Sequence, residues 1–242
     1  MKSDIIYGRI PCLNALKGKN RVKSIFLNEK HPDQEIILLA NEKNIPVSFV
    51  DKQKLDSLTS NSNHQGVVCK MEEFVFSQLN DVLNTLKEKK DATIVLLDQI
   101  TDPVNFGSII RTSAAFNVDA IIIGKNRQVQ ITPVVAKVAT GAEELLPIVQ
   151  VVNLNQTIEK LKKENFWIVT SAGEGNTNYD EIDYSGKICL VVGSEGYGVS
   201  RLIKEHSDYI AKIPLNGKID ALNANIATAV FLAQITSNRN KK

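Results

Sequence analysis

A carboxylate stands in an unusual place in this chain. Glu195 lies inside the glycine-rich stretch Gly193-Ser194-Glu195-Gly196-Tyr197-Gly198, directly after the apolar run Ile188-Cys189-Leu190-Val191-Val192. A turn that cradles phosphate through backbone N–H groups excludes such a charge, whereas a site for a cation or a hydroxyl-rich ligand can use it. Taken alone, the stretch also reads as a tight turn with an exposed acid. Two further polar segments follow apolar runs in the same way. Asp98 to Gly107 holds Asn105 and leads to Arg111, and Ile213 to Asn223 reads IPLNGKIDALN. The guanidinium of Arg111 is a planar fork of donors suited to a phosphate, and equally suited to an ion pair on a helix surface.

Other chemistries lack their residues. Gly-Lys pairs begin at Gly18, Gly124, Gly186 and Gly217, but none is followed by Ser or Thr, so there is no phosphate-binding loop of the Walker type. Gly173-Glu174-Gly175 follows a strand-like run without a helix start behind it, which argues against a dinucleotide fingerprint. His31, His64 and His206 are scattered, as are Cys12, Cys69 and Cys189. No spacing suits zinc or any other metal, and three distant cysteines suggest reduced thiols in a cytoplasmic protein.

These segments need a scaffold, and the pattern supplies one of the α/β class. Strands are expected at Val22–Leu27, Val47–Val50, Val67–Met71, Thr93–Leu97, Ala120–Ile123, Leu146–Val152, Phe166–Thr170, Ile188–Val192 and Tyr209–Ile213. Helices are expected between them, among others at Gly8–Leu16, Pro32–Asn44, Ser108–Phe116, Thr157–Glu164 and Asn223–Ser237. Alternation of this kind gives a mostly parallel sheet covered by helices on both faces, with ligand loops at the carboxyl ends of strands. A polar helix ending in Lys87-Glu88-Lys89-Lys90-Asp91 marks a boundary. Residues 1–75 are therefore expected to form one domain, 76–92 a linker and 93–242 a second domain.

The 242 residues are 43% hydrophobic with a net charge of +2, a globular composition that does not by itself announce a nucleic-acid binder. The excess base is N-terminal, 14 Lys and Arg against 11 Asp and Glu over residues 1–90 and 15 against 16 beyond. It includes the cluster Lys17, Lys19, Arg21 and Lys23, which reads as solvated surface or as a phosphate-contacting patch. His64-Gln65-Gly66 reads as a turn whose polar side chains cap their own backbone, or as an RNA contact. No apolar run approaches membrane-spanning length, and the N-terminus lacks a signal-peptide core.

Three segments together resemble one family. DPVNFGSIIRTSAAFNVDAIII, LVVGSEGYGVSRL and IPLNGKIDALNANIATAV are similar, in order and spacing, to the signature segments of the SpoU branch of the SPOUT RNA methyltransferases. The first half is similar to the L30e-like RNA-binding domain that precedes them in bacterial ribosomal RNA guanosine 2′-O-methyltransferases. The resemblance implies a C-terminal α/β domain with a deep trefoil knot, a homodimer with sites near the subunit interface, and methyl transfer from S-adenosylmethionine to a ribose 2′-hydroxyl, most closely in 23S ribosomal RNA.

By position, the resemblance gives Gly193, Ile213 and Leu222 to the cofactor through their backbone. Thr170, Ser171, Ala172 and Gly173 line the same pocket, and Leu215 and Asn223 complete the knotted loop. Arg111 becomes the catalytic centre, steering phosphate and hydroxyl, with Asn105, Glu195 and Asn223 beside it. His64, Gln65 and the lysine–arginine cluster become RNA contacts. One departure stands out: the family usually has Ser where this chain has Ala221, and often where it has Asn225. Rival readings are a transfer RNA 2′-O-methyltransferase, a catalytically silent RNA-binding or ribosome-assembly protein, and a nucleotide-binding α/β enzyme.

Overall fold

The computed structural model describes residues 5–17, 22–72, 74–218 and 221–240. They divide into two compact units, one of residues 1–75 with 131–136, the other of 76–130 with 137–242.

The first unit runs β1 (Ile5–Tyr7), α1 (Arg9–Lys17), β2 (Val22–Asn28), α2 (Gln34–Glu42), β3 (Val47–Val50), α3 (Lys52–Thr59) and β4 (Val67–Met71). Its sheet has the order β1-β4-β2-β3. β2 and β3 are parallel, while β4 is antiparallel to both β1 and β2. Aspartates start two of the helices. Asp33 accepts from the Ile36 N–H and Asp51 from the Lys54 N–H, each meeting a donor that the first helical turn leaves open. Cys12, Leu16, Ile25, Leu27, Ile36 and Cys69 form the buried centre. The three-residue β1 was not anticipated, being too short for a periodic signal.

The second unit runs α4 (Leu79–Leu86), β5 (Ala92–Asp98), α5 (Pro103–Ala115), β6 (Ala120–Gly124), α6 (Pro133–Ala139), a 3-10 turn at Ala142–Glu144, β7 (Ile148–Val151), α7 (Leu154–Lys163), β8 (Phe166–Ser171), β9 (Thr177–Asn178), β10 (Lys187–Gly193), α8 (Arg201–Glu205), β11 (Tyr209–Lys212) and α9 (Ala224–Asn240). Seven strands in the order β7-β6-β5-β10-β8-β11-β9 form one sheet, and every pair in it is parallel. β5 is buried from end to end, as a strand covered on both faces must be.

The interval 76–92 contains the helix expected there. It holds α4, whose Val82, Leu83 and Leu86 are buried in the core of the second unit. Asp98 to Gly107 is not all loop. α5 begins at Pro103, five residues before the expected start, because Asp102 caps it and proline suits its first turn. α7 begins at Leu154 for a similar reason, with Asn153 as its cap. Arg239, near the end of α9, closes the amino ends of the central strands β5 and β10. Its guanidinium donates to the carbonyls of Ala92, Tyr184 and Gly186 and to Thr93 Oγ1, at 2.8–3.1 Å.

Candidate active site

β5 and β10 lie side by side, with Gly193 in register with Asp98. Asp98 closes β5 and is only 3% exposed. Its Oδ2 accepts the Ser200 N–H at 2.7 Å, so the acid ending one strand anchors the segment leaving the next. Between Gly193 and Ser200 the chain folds into a tight turn. The Gly198 N–H donates to the Ser194 carbonyl at 2.8 Å, and Gly198 has φ +64°. A Cβ on Gly193 would lie 2.2 Å from the Gly198 carbonyl group, so only glycine fits there. The turn leaves Tyr197 88% exposed at its tip.

The cap that starts α5 also positions Asn105. Asp102 Oδ2 accepts the Asn105 N–H at 2.9 Å, and the Asn105 side chain then donates from Nδ2 to Glu195 Oε1 at 3.0 Å. Among the described residues Glu195 Oε2 has no partner. Arg111 stands six residues further along α5, roughly 9 Å up the axis and about 120° round the helix from Asn105. It is exposed, pairs with no described residue and does not line the cavity beside Glu195.

That cavity has a volume of about 760 Å³. It opens at the carboxyl ends of β8, β10 and β11, the sheet edge where parallel α/β folds bind ligands. Ser171, Ala172, Gly173, Gly193, Ile213, Leu215 and Leu222 line it. Thr170 does not. It is fully buried, and its Oγ1 shares a hydrogen bond of 2.7 Å with Ser207 Oγ, because alternation along β8 turns it away from the wall. Asn223 is also off the wall, its Oδ1 accepting the Asn225 N–H at the start of α9. Ala221 belongs to the wall, while Asn225 Oδ1 is buried without a described partner.

Sequence reasoning missed three residues here. Asp98 ends an otherwise apolar run, which was a usable signal. Glu174 and Lys204 line the cavity as an ion pair, and nothing in their spacing announces it. Hydrogen bonding from Lys204 holds the Glu174 carboxyl below the ordinary carboxylate range.

In the first unit, the polar loop before β4 encloses a cavity of about 440 Å³ lined by Asn28, Lys52, Asp56 and residues 61–66. His64 is 7% exposed. Its Nδ1 accepts the Gly66 N–H at 3.0 Å and its Nε2 lies 3.1 Å from Asp56 Oδ1, so the ring carries its proton on Nε2. Gln65 is left-handed at φ +51°, and its Oε1 accepts the Arg9 N–H at the start of α1. His64 holds the loop through its own backbone and Gln65 through Arg9, while Gln65 stays exposed and shares the cavity wall with Lys52, Asn61, Ser62 and Asn63. Lys17 is paired with Glu35 at 2.7 Å, and Lys23 is exposed on β2. Lys19 and Arg21 lie outside the described residues.

Among the described residues no cluster of His, Cys, Asp and Glu is arranged to hold a metal, and no helix is long and apolar enough to cross a membrane. Cys12, Cys69 and Cys189 are buried and free.

Residues 92–233 match the SpoU rRNA Methylase family, and residues 5–76 match the RNA 2′-O ribose methyltransferase substrate-binding family. The chain is 39% identical over 223 residues to a 23S rRNA (guanosine-2′-O-)-methyltransferase of Coxiella burnetii, covering 90% of this chain and 89% of that one. It is 37% identical over 244 residues to a protein of Staphylococcus saprophyticus assigned to the TrmH family of tRNA/rRNA methyltransferases, covering 99% and 98%. Its fold is similar to the SpoU methyltransferase AviRb of Streptomyces viridochromogenes in complex with AdoMet, with a TM-score of 0.77 at 21% identity, covering 98% of this chain and 90% of that one. An AdoMet-bound rRNA methyltransferase of Sinorhizobium meliloti superposes with a TM-score of 0.72 at 24% identity, covering 97% and 87%.

Proposed function

The chain belongs to the SpoU rRNA methylase family, and from that premise we propose that it transfers a methyl group from S-adenosylmethionine to the 2′-hydroxyl of a guanosine ribose in 23S ribosomal RNA. The observation that carries this reading is the Asn105–Glu195 hydrogen bond at the mouth of the cavity. It joins two of the three signature segments where a ribose must meet the cofactor.

The cavity fits the cofactor. Its volume suits a ligand of that size. Apolar side chains of Ile213, Leu215 and Leu222 suit a purine, and Gly193 keeps the wall clear of side chain. The bound sulfonium supplies an already activated methyl group, so the protein's task is alignment. Asn105 fixes the Glu195 carboxylate through Oε1 and leaves Oε2 to take a hydrogen bond from the ribose hydroxyl. The guanidinium fork of Arg111 grips the phosphate next to the target ribose. Since it lies off the cavity wall, it serves the site of a second copy in a homodimer. The loop of 61–66 in the first unit contributes RNA contacts through Lys52, Asn61, Ser62 and Asn63.

The trefoil knot belongs to the same reading. The reaction is assigned to the cytoplasm, where ribosomal RNA is made in bacteria. Retention of Arg111 and Glu195 favours an active enzyme despite Ala221 and Asn225. The test is incubation of purified protein with labelled S-adenosylmethionine and either ribosomal or transfer RNA, followed by nucleoside analysis. 2′-O-methylguanosine in ribosomal RNA alone supports the reading. Transfer to transfer RNA alone, or binding of RNA with no transfer, replaces it.

A further inference from the structure

The smaller cavity, in the first unit, carries a carboxylate with one oxygen still open. Asp56 lines this cavity of about 440 Å³. Its Oδ1 takes the His64 Nε2–H at 3.1 Å, and among the described residues its Oδ2 has no partner. Lys52 and the amides of Asn61 and Asn63 stand on the same wall.

The loop around the cavity is set before any ligand arrives. Ser60, Asn61 and Gln65 are left-handed at φ +53°, +61° and +51°. Residues with side chains are strained in that region and persist where their surroundings hold them, as at ligand clamps. Here the Asn28 N–H donates to the Gly66 carbonyl at 2.9 Å and the Val67 N–H to the His64 carbonyl at 2.9 Å. Both nitrogens of the buried His64 ring are engaged, so the ring in turn fixes the Asp56 carboxylate.

A carboxylate only accepts. On the Watson–Crick edges of the RNA bases, guanine alone sets two donors side by side, its N1–H and its exocyclic amine. Adenine and cytosine place an amine beside a ring nitrogen that accepts, and uracil flanks its one N–H with two carbonyls. Each of these three turns a lone pair toward an acid. Base identity in RNA is read along these edges, on unpaired nucleotides splayed out of the helix.

We infer that the cavity is a reading site for one unpaired guanine of the substrate RNA, selected by the Asp56 carboxylate. Oδ2 takes one guanine donor, and the second lone pair of Oδ1 takes the other. Asn61 and Asn63 supply amide donors for O6, and Lys52 a cation for the adjoining phosphate. The volume admits one nucleoside and no duplex. The assignment rests on the RNA reading above, and it adds a base preference that methyl transfer itself does not require.

Three pentaribonucleotides test it by fluorescence anisotropy with the full-length protein: UUGUU, UUAUU and UUIUU. Inosine, in the last, keeps N1–H and O6 and lacks only the exocyclic amine. UUGUU should bind at least about tenfold more tightly than either of the others. Asp56→Asn keeps an oxygen for His64 and should weaken UUGUU to the level of UUAUU. Affinities for UUAUU and S-adenosylhomocysteine should stay as in wild type, and the wild-type comparison stands whether or not the variant folds. Equal binding of the three RNAs by wild type, or a guanine preference that survives in a folded Asp56→Asn protein, overturns the reading site and leaves the methyltransferase reading intact. Binding of ribosomal RNA without binding of UUGUU does the same. Wild-type protein that binds no RNA at all overturns both.

Discussion

Asn105 and Glu195 are 90 residues apart in sequence and joined by a hydrogen bond of 3.0 Å from Nδ2 to Oε1. Asp102 fixes the first member through the cap of α5, and the turn closed at Gly198 fixes the second. Asn105→Ala should loosen the carboxylate and Glu195→Gln replace it, neither emptying the cavity. Asn105→Ala and Glu195→Gln are expected to lower kcat for methyl transfer by about a hundredfold. Affinity for S-adenosylhomocysteine should stay within about twofold of wild type, since a partner change of this size is well under 1.4 kcal/mol. Single-turnover rates and calorimetry measure the two effects separately.

Arg111 should behave differently because its task is the phosphate. Arg111→Lys keeps the charge and loses the fork, so it is expected to retain only a small part of the activity, and Arg111→Ala almost none. An Arg111→Ala protein mixed with a Glu195→Gln protein should regain activity above either alone if each site takes its arginine from the other copy. Failure of the mixture to recover would locate both residues in one chain.

Gly193 tolerates no side chain. Gly193→Ala places a methyl 2.2 Å from the Gly198 carbonyl, and backbone must shift to relieve it. The expected cost is about 1–3 kcal/mol of stability, read by denaturant unfolding, with cofactor binding lost even where the chain still folds.

Much of this was legible in the residues, and the limits have physical causes. Apolar runs such as Ile188–Val192 announce buried parallel strands, and the three polar loops at strand ends announce a site. α5 starts earlier than its apolar spacing suggests because Asp102-Pro103 is a cap rather than a turn. The edge strands β1 and β9, three and two residues long, carry no period. Thr170 shows the limit at the site, since which face of β8 meets the cavity depends on tertiary packing. Glu174 and Lys204 become partners only when the turn after β8 and α8 come together.

Arg239 ties α9 to the sheet through four donated hydrogen bonds. Arg239→Ala removes a donor from three carbonyls and a hydroxyl, of which the Gly186 carbonyl keeps the Ala92 N–H at 3.3 Å. It should lower stability by about 2–3 kcal/mol, seen as an earlier unfolding midpoint with an unchanged denaturant slope.

Glu143 carries a pH dependence. It is 4% exposed, its Oε2 has no described partner, and burial raises its carboxyl above the ordinary value. Below the ordinary carboxylate range the group is protonated in both the folded and unfolded chain and costs nothing. As pH rises, the unfolded chain releases the proton first, and stability falls until the folded group has also titrated. Glu143→Gln should therefore raise the Tm at neutral pH, and the difference should close as the pH falls into the ordinary carboxylate range. A difference that is constant with pH would assign the effect to packing.

The most direct measurement is the 2′-O-methylation map of 23S ribosomal RNA from cells lacking this gene. The account predicts that one methylated guanosine is lost, that purified wild-type protein restores it in vitro with S-adenosylmethionine, and that Glu195→Gln does not. An unchanged 23S map, or a methyl group missing from transfer RNA instead, would contradict it.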